Sequence, residues 1–437
     1  MLTVYRIFLY AIFPVVMLKL LFRAIQSPQY FVRIPQRFGF SLSGPGTHQS
    51  PPGGIWIHAV SVGEVNAAIP LINKIITAYP GRPVTVTTMT PTGSERVRQA
   101  LGCSVFHCYL PYDYPGAMKR FLDTVQPGVG MVMETEVWPN MISECHRRNI
   151  PLVYTNVRMS ARSYRGYQRF RFFFRKIFNQ VDQFAVQARM DAGRLIDLGV
   201  DAQKIRVTGN IKFEVILPAS MKEASQSVRR DLGWERPVWV VGSTHEGEEA
   251  RVLEAFAGAR KEIPDLLLVL VPRHPERFAA VFRLCRRLGY RTVQRSQHHS
   301  KVSSDTDIYV GDTMGDLSML LCAGDLAFMG GSLVPTGGHN LLEACAAGVA
   351  VVFGPHMFNF QEISNLVLSG GAGVQVLDSA ELSEVVVRLF QDPGMRDQYG
   401  SAGKAIIEAN RGALARILEM LHTCCPAEPR QPEKRAD

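Results

Sequence analysis

From about residue 50 the chain alternates short β-rich runs with segments of helical periodicity. IWIHAV (55–60), VTVTTM (84–89), VGMVME (129–134), PLVYTNV (151–157), QFAVQA (183–188) and IRVTGN (205–210) read as strands. VWVVGS (238–243), LLLVLVP (266–272), DIYVGD (307–312), LAFMGG (326–331) and VAVVFGP (349–355) repeat the plan. Most are continuously apolar, as expected of parallel strands covered on both faces. Two doubly wound, Rossmann-like α/β domains follow. WIHAVSVGE, ending at Glu64, and WVVGSTHEGE, ending at Glu248, echo each other: each leads from a strand through a Ser-x-x-Glu element into an amphipathic helix. In the first, Val65, Ala68, Ile69, Ile72 and Ile76 fall on one helical face.

The domain boundary falls between Glu214 and Trp234, where a proline and polar helix-like residues replace strand pattern. The expected organisation is an anchor over 1–24, a first domain over 25–218, a second over 219–423 and a disordered tail over 424–437. The N-terminal run IFLYAIFPVVML (7–18) is uncharged between Arg6 and Lys19. With both cations snorkelling and Leu20, Leu21 and Phe22 included, roughly 20 positions suit one marginal membrane helix or an interfacial one. The following segment is basic and lacks a small-x-small cleavage site, which disfavours a signal peptide. A buried core helix is the remaining reading.

Composition narrows the function. The 437 residues are 46% hydrophobic and 20% charged, excluding a disordered chain. Beyond the N-terminus every apolar run is strand-length, which excludes a polytopic membrane protein. The net charge of +9 favours an anionic partner. Eight dispersed cysteines without C-x-x-C pairs read as reduced thiols rather than a zinc site. The segment RMSARSYRGYQRFRFFFRK (158–176) has seven basic residues, no acidic ones, and Tyr164, Tyr167, Phe170, Phe172, Phe173 and Phe174. This suits an anionic lipid surface or single-stranded nucleic acid, the N-terminal run favouring lipid, with a helix packing its aromatics inward as the plainer alternative. No recognised nucleic-acid module accompanies it, so nucleic acid is not an expected partner.

Several strand ends carry candidate chemistry. GGSLVPTGGHNLLEA (330–344) takes a strand through a glycine-rich loop into a helix, where backbone N–H groups can meet a phosphate and Glu343 a ribose hydroxyl. It is neither a Rossmann fingerprint nor a P-loop. In VPRHPER (271–277), Arg273 can pair with a phosphate, and GDTMGD (311–316) offers backbone groups to a base edge. Glu64 in SVGE is either the partner in a helix cap or a general base. Glu134 and Glu136 in METEVWPN (133–140) end an apolar strand, costly unless the carboxylates are solvated, paired or employed. Lys212 follows the first domain's last strand.

Taken together, HAVSVGEVNA, METEVWPN, GNIKFE, VPRHPER, GDTMGDL and GGSLVPTGGHNLLEA, in this order, resemble the 3-deoxy-D-manno-oct-2-ulosonic acid (Kdo) transferases of Gram-negative bacteria. The resemblance runs from the N-terminal segment to about residue 420. It implies a GT-B glycosyltransferase fold, two domains facing a cleft, at the cytoplasmic face of the inner membrane. It also implies inverting transfer of Kdo from CMP-Kdo to a tetraacylated lipid A precursor, with no cofactor and no required metal. Matched motif by motif, Glu64 corresponds to the general base, and Glu134 and Lys212 to transition-state-stabilising positions, with Glu136 a competitor for the role of Glu134. Pro272, Arg273, Thr313, Met314, Gly315, Gly338, His339, Asn340, Leu341 and Glu343 correspond to the CMP site. The alternatives are a GT-B transferase using another nucleotide sugar for a different envelope glycan, and a membrane-tethered binding protein without turnover.

Overall fold

A computed structural model describes residues 1–31, 33–42, 51–215, 217–297 and 301–425. It divides into two compact units, the first comprising Met1–Glu214 together with the chain from Arg411 on, the second Val215–Asn410.

The first unit holds a parallel sheet of β1 (Ile55–His58), β2 (Val84–Thr88), β3 (Phe106–Tyr109), β4 (Val129–Met133), β5 (Leu152–Val157), β6 (Gln183–Val186) and β7 (Ile205–Val207), in the order 3-2-1-4-5-6-7. Register is set by pairs such as Ile55 with Val84 and with Val129. Apolar side chains cover both faces. On one, Ile55, Ile57 and Met131 pack with Val65, Ala68, Leu71 and Ile72 of helix Val62–Ala78. On the other, Trp56, Val132 and Tyr154 pack with Phe121, Ile142 and Phe178.

The second unit holds β8 (Val238–Thr244), β9 (Leu267–Pro272), β10 (Thr292–Gln294), β11 (Ile308–Val310), β12 (Leu326–Met329), β13 (Ala350–Phe353) and β14 (Gly373–Gln375), all parallel, in the order 10-11-9-8-12-13-14. Both sheets are doubly wound, the α/β architecture of GT-B proteins. Eleven of these strands are legible as β-rich runs. The other three, β3, β10 and β14, are edge strands of three or four residues. Covered on fewer sides, they need no long apolar run.

Two segments depart from the sequence pattern. Residues 411–423, expected in the second domain, return to the first unit. Helix Ala413–Cys424 inserts Leu414, Ile417 and Leu421 into the core beside Ile55 and Ile75. Its entry is held by Glu214 Oε1, which accepts the N–H groups of Gly412 (2.7 Å) and Leu414 (3.2 Å), and by Arg416 Nε, which donates to Thr208 O (2.8 Å). A return of this kind is set by long-range packing and leaves no local boundary signal. Of the expected disordered tail, Cys424 ends this helix and Cys425 is buried, while 426–437 lie outside the described residues.

The expected single N-terminal anchor is two helices, Leu2–Ala11 and Phe13–Gln26, bent by 51°. Pro14 lacks the N–H that would continue the first helix, and its ring conflicts with the carbonyl four residues earlier. No single helix among the described residues is long and apolar enough to cross a membrane; the bent pair passes together by length and composition. Arg6, expected to snorkel, instead donates from Nε to Asn140 Oδ1 (2.7 Å), and Tyr5 donates its hydroxyl to buried Asp113 (2.9 Å). Val4, Ile7, Phe8, Val15, Leu18, Phe22 and Ile25 remain exposed.

The C-terminal helix is therefore part of the first unit's core. Ile417→Ala is expected to destabilise that unit by about 2–5 kcal/mol through the cavity it leaves. Hydrogen exchange resolved by peptide is expected to show faster opening around β1 and helix Val62–Ala78, with β8 and β12 unchanged.

Candidate functional site

In an open parallel sheet, ligands gather at the carboxyl ends of the strands where the strand order reverses. In the first unit this point lies between β1 and β4. Beyond β1, Ser61 caps helix Val62–Ala78, its side chain accepting the Glu64 N–H. Glu64 reciprocates: Oε2 accepts the Val60 N–H (2.8 Å) and Oε1 the Ser61 hydroxyl (3.0 Å). The capping box expected as one reading of Glu64 is therefore present. Glu64 is 8% exposed. Burial, then the nearby Glu134 and Glu136 carboxylates, push its pKa up to about 7 against the pull of those two donors.

Across the reversal, Glu134 follows β4 with φ +57°. A left-handed backbone disfavours any side chain with a Cβ, and glycine is the unstrained choice there. Among the described residues no group hydrogen-bonds its carboxylate. Glu136 is engaged differently: its carboxylate accepts Trp138 Nε1–H (3.0 Å), its carbonyl accepts the Tyr154 hydroxyl (2.7 Å), and burial pushes its pKa up. The side chain left available by its neighbours is Glu134.

Lys212 lies on the short turn Ile211–Phe213, which packs against helix Val62–Ala78. The turn is braced by Asn210 of the GNIKFE motif and by two residues without a local sequence signal, Asn156 and Gln187. Asn156 Oδ1 accepts the Ile211 N–H (3.1 Å), Asn210 Oδ1 accepts the Lys212 N–H (2.9 Å), and Gln187 links the two asparagines.

In the second unit the order reverses between β8 and β12. Glu248, wholly buried, accepts N–H bonds from His245 (3.2 Å), Gly331 (2.6 Å), Ser332 (3.0 Å) and Leu333 (2.9 Å). One carboxylate thereby ties the turn after β8 to the glycine-rich loop after β12. A Cβ on Gly330 would lie 2.7 Å from Ser243 O, so the approach requires glycine. Gly338 N–H donates to Gly331 O (2.7 Å) and closes the loop. Helix Leu342–Ala347 opens later than the GGHN motif suggests, with Asn340 Oδ1 accepting the Leu342 N–H (3.2 Å). Leu341 is fully buried and offers a ligand only its backbone.

Pro272 ends β9 buried, paired in register with Thr244, and Arg273 follows it exposed, its guanidinium without a hydrogen bond or ion pair among the described residues. Arg273 lies within electrostatic range of His245, His339 and Glu343. Glu343 accepts the Ser318 hydroxyl (2.9 Å). In the turn after β11, Asp316 accepts from Thr313 and from Arg295 Nε (2.6 Å), while Asp312 accepts from Ser296 N–H (2.8 Å) and Gln294 Nε2 (2.9 Å). Both aspartates are committed to shaping the turn, and Met314 is left exposed. Among the described residues no three His, Cys, Asp or Glu side chains are grouped to hold a metal ion.

Comparison with known proteins bears on this arrangement. The family described as 3-Deoxy-D-manno-octulosonic-acid transferase (kdotransferase) matches residues 32–215. A 3-deoxy-D-manno-octulosonic acid transferase of Haemophilus influenzae is 40% identical over 91% of this chain and 92% of its own length. This chain belongs to the 3-deoxy-D-manno-octulosonic acid (Kdo) transferase family. A Kdo transferase of Bordetella pertussis is 33% identical over 96% of this chain and 98% of its own. For the fold, UDP-GlcNAc 2-epimerase from Neisseria meningitidis superposes with a TM-score of 0.55 at 13% identity, over 85% of this chain and 100% of that one. As a Kdo transferase the chain is a glycosyltransferase of lipopolysaccharide synthesis.

The backbone at Glu134 separates function from stability. Glu134→Gly is expected to unfold within about 1 kcal/mol of the parent, because relief of left-handed strain offsets the entropy glycine adds to the unfolded chain. Kdo transfer is expected to fall by about 100-fold or more if the carboxylate acts on the transition state. Thermal unfolding and initial rates on the same preparation check both.

Proposed function

We propose that this Kdo transferase moves Kdo from CMP-Kdo to a tetraacylated lipid A precursor, inverting the anomeric centre, at the cytoplasmic face of the inner membrane. The observation that carries this reading is Glu64: a buried carboxylate at the first unit's strand-order reversal, with its pKa pushed up to about 7. A general base is most effective when its pKa lies near the working pH. Glu64 takes the proton of the acceptor hydroxyl as that oxygen attacks the anomeric carbon from the side opposite the departing CMP. Glu134 and Lys212 stabilise the charge that develops there. The leaving phosphate gains negative charge as the bond breaks, so cations and backbone donors bind the transition state more tightly than the substrate. Arg273, with Pro272, the Thr313–Gly315 backbone, the Gly338–Leu341 loop and Glu343, holds CMP.

A lipid acceptor requires a protein that reaches the bilayer, and the first unit's surface supports this. Of the aromatics in 158–176, Tyr164, Tyr167, Phe173 and Phe174 pack on the core, while Phe170 and Phe172 are 57% and 67% exposed among exposed arginines. The Tyr5 and Phe173 rings, 6.1 Å apart, join this segment to the N-terminal helices and their exposed apolar side chains. The surface combines apolar insertion with attraction to anionic headgroups.

Purified protein given CMP-Kdo and a tetraacylated, diphosphorylated lipid A precursor is expected to add Kdo mass units by mass spectrometry. Glu64→Gln is expected to slow this by about 10²–10⁴-fold while keeping CMP binding. Because the base must be ionised, kcat/KM in the parent is expected to fall tenfold per pH unit below about 7 and level off above it. No mass gain by a folded protein that binds CMP would remove the acceptor assignment, and failure to bind CMP would remove the donor. Separately, Arg162, Arg165 and Arg169 changed together to Gln are expected to weaken sedimentation with anionic vesicles by about 100-fold, at ~1 kcal/mol per charge. Neutral vesicles are expected to bind both proteins weakly and alike.

A further inference from the structure

His339 belongs to the glycine-rich loop assigned above to CMP, and the structure shows what holds its ring. His245, the first residue after β8, meets it edge to edge, with ring centroids 5.0 Å apart and planes within 10°. Their Nε2 atoms are 2.8 Å apart. The contact is built in rather than incidental. Glu248 accepts the His245 N–H and the N–H of Gly331, fixing both backbones from a single buried carboxylate. Gly331 leaves space for the pair: a Cβ there would lie 3.1 Å from His339 Cδ2 and 3.3 Å from His245 Cδ2. Arg273 N–H donates to Thr244 O (3.0 Å), placing the cation beside the pair. The His274 ring meets His245 edge-on at 5.4 Å.

Two imidazole nitrogens at this distance share one proton. When His245 Nε2–H donates, His339 must carry its own proton on Nδ1 and can donate it to an anion; when His339 donates, its Nδ1 is a bare acceptor that repels one. Burial and the neighbouring His245, Arg273 and His274 hold the His339 pKa down to about 4, so the ring is neutral and its tautomer matters. We propose that His245 is a positioning residue of the donor site: by donating from Nε2 it fixes His339 as the Nδ1–H tautomer, which donates to the phosphate of a nucleoside monophosphate. This rests on the assignment of the His339 loop to CMP.

CMP is the probe, titrated calorimetrically into the full-length protein, with ring tautomers read from long-range ¹⁵N–¹H correlations of histidine-labelled protein. His245→Phe keeps an aromatic ring and loses the donor. It is expected to bind CMP about tenfold more weakly and to shift the His339 signals away from the Nδ1–H pattern. His245→Gln, whose amide can donate to Nε2, is expected to restore both, which a loss of packing would not. Parent-like affinity and an unchanged His339 tautomer in His245→Phe, with His339→Ala weakened, would overturn the inference and leave the donor site standing. Unchanged CMP binding in His339→Ala would overturn the donor-site assignment and this inference with it.

Discussion

In both units the first strand lies inside a seven-stranded parallel sheet, and the chain leaves it for a helix that carries a glutamate at or near its start. That geometry buries a carboxylate where the strand order reverses, and the rest follows from what meets it. Glu248 meets four backbone N–H groups and becomes the tie between two loops. Glu64 meets one N–H and one hydroxyl, and burial with the field of two other carboxylates raises its affinity for protons, as burial alone does for Glu248 against its four donors. The same element meets four backbone donors in one unit and two donors with two nearby carboxylates in the other.

The parts legible in the sequence were those with local causes. Continuous apolar runs marked the strands covered on both faces, and the Ser-x-x-Glu echo marked the opening of each sheet. The motifs brought Glu64, Arg273 and the glycine-rich loop to strand ends, where parallel sheets bind ligands. What was illegible depends on contacts far apart in the chain. Edge strands β3, β10 and β14 lacked a long apolar pattern, and the C-terminal helix joined a core begun hundreds of residues earlier. That Glu136 is engaged by Trp138 while the Glu134 carboxylate has no hydrogen bond among the described residues depends on the Trp138 indole, which no spacing reveals. Asn156, Gln187 and His245 had no motif of their own; His245 could be sought only as the counterpart of the residues before Glu64 in the echo.

The N-terminal segment shows what hydropathy alone leaves out. Its composition suits a span, but Pro14 breaks the helix and Tyr5 and Arg6 spend their polar atoms on the first unit. Its outward apolar side chains lie on the same unit as the exposed arginines of 158–176.

The central claim is that burial and neighbouring carboxylates hold Glu64 ready to exchange a proton near neutrality. It is tested most directly by infrared difference spectroscopy of the free enzyme across pH 4 to 9, with Glu64→Gln as the reference that identifies the band. A protonated carboxyl band that disappears with a midpoint near 7, and is absent in Glu64→Gln, is the predicted result. Ionisation of Glu64 in the ordinary carboxylate range, complete by about pH 5, would contradict the account.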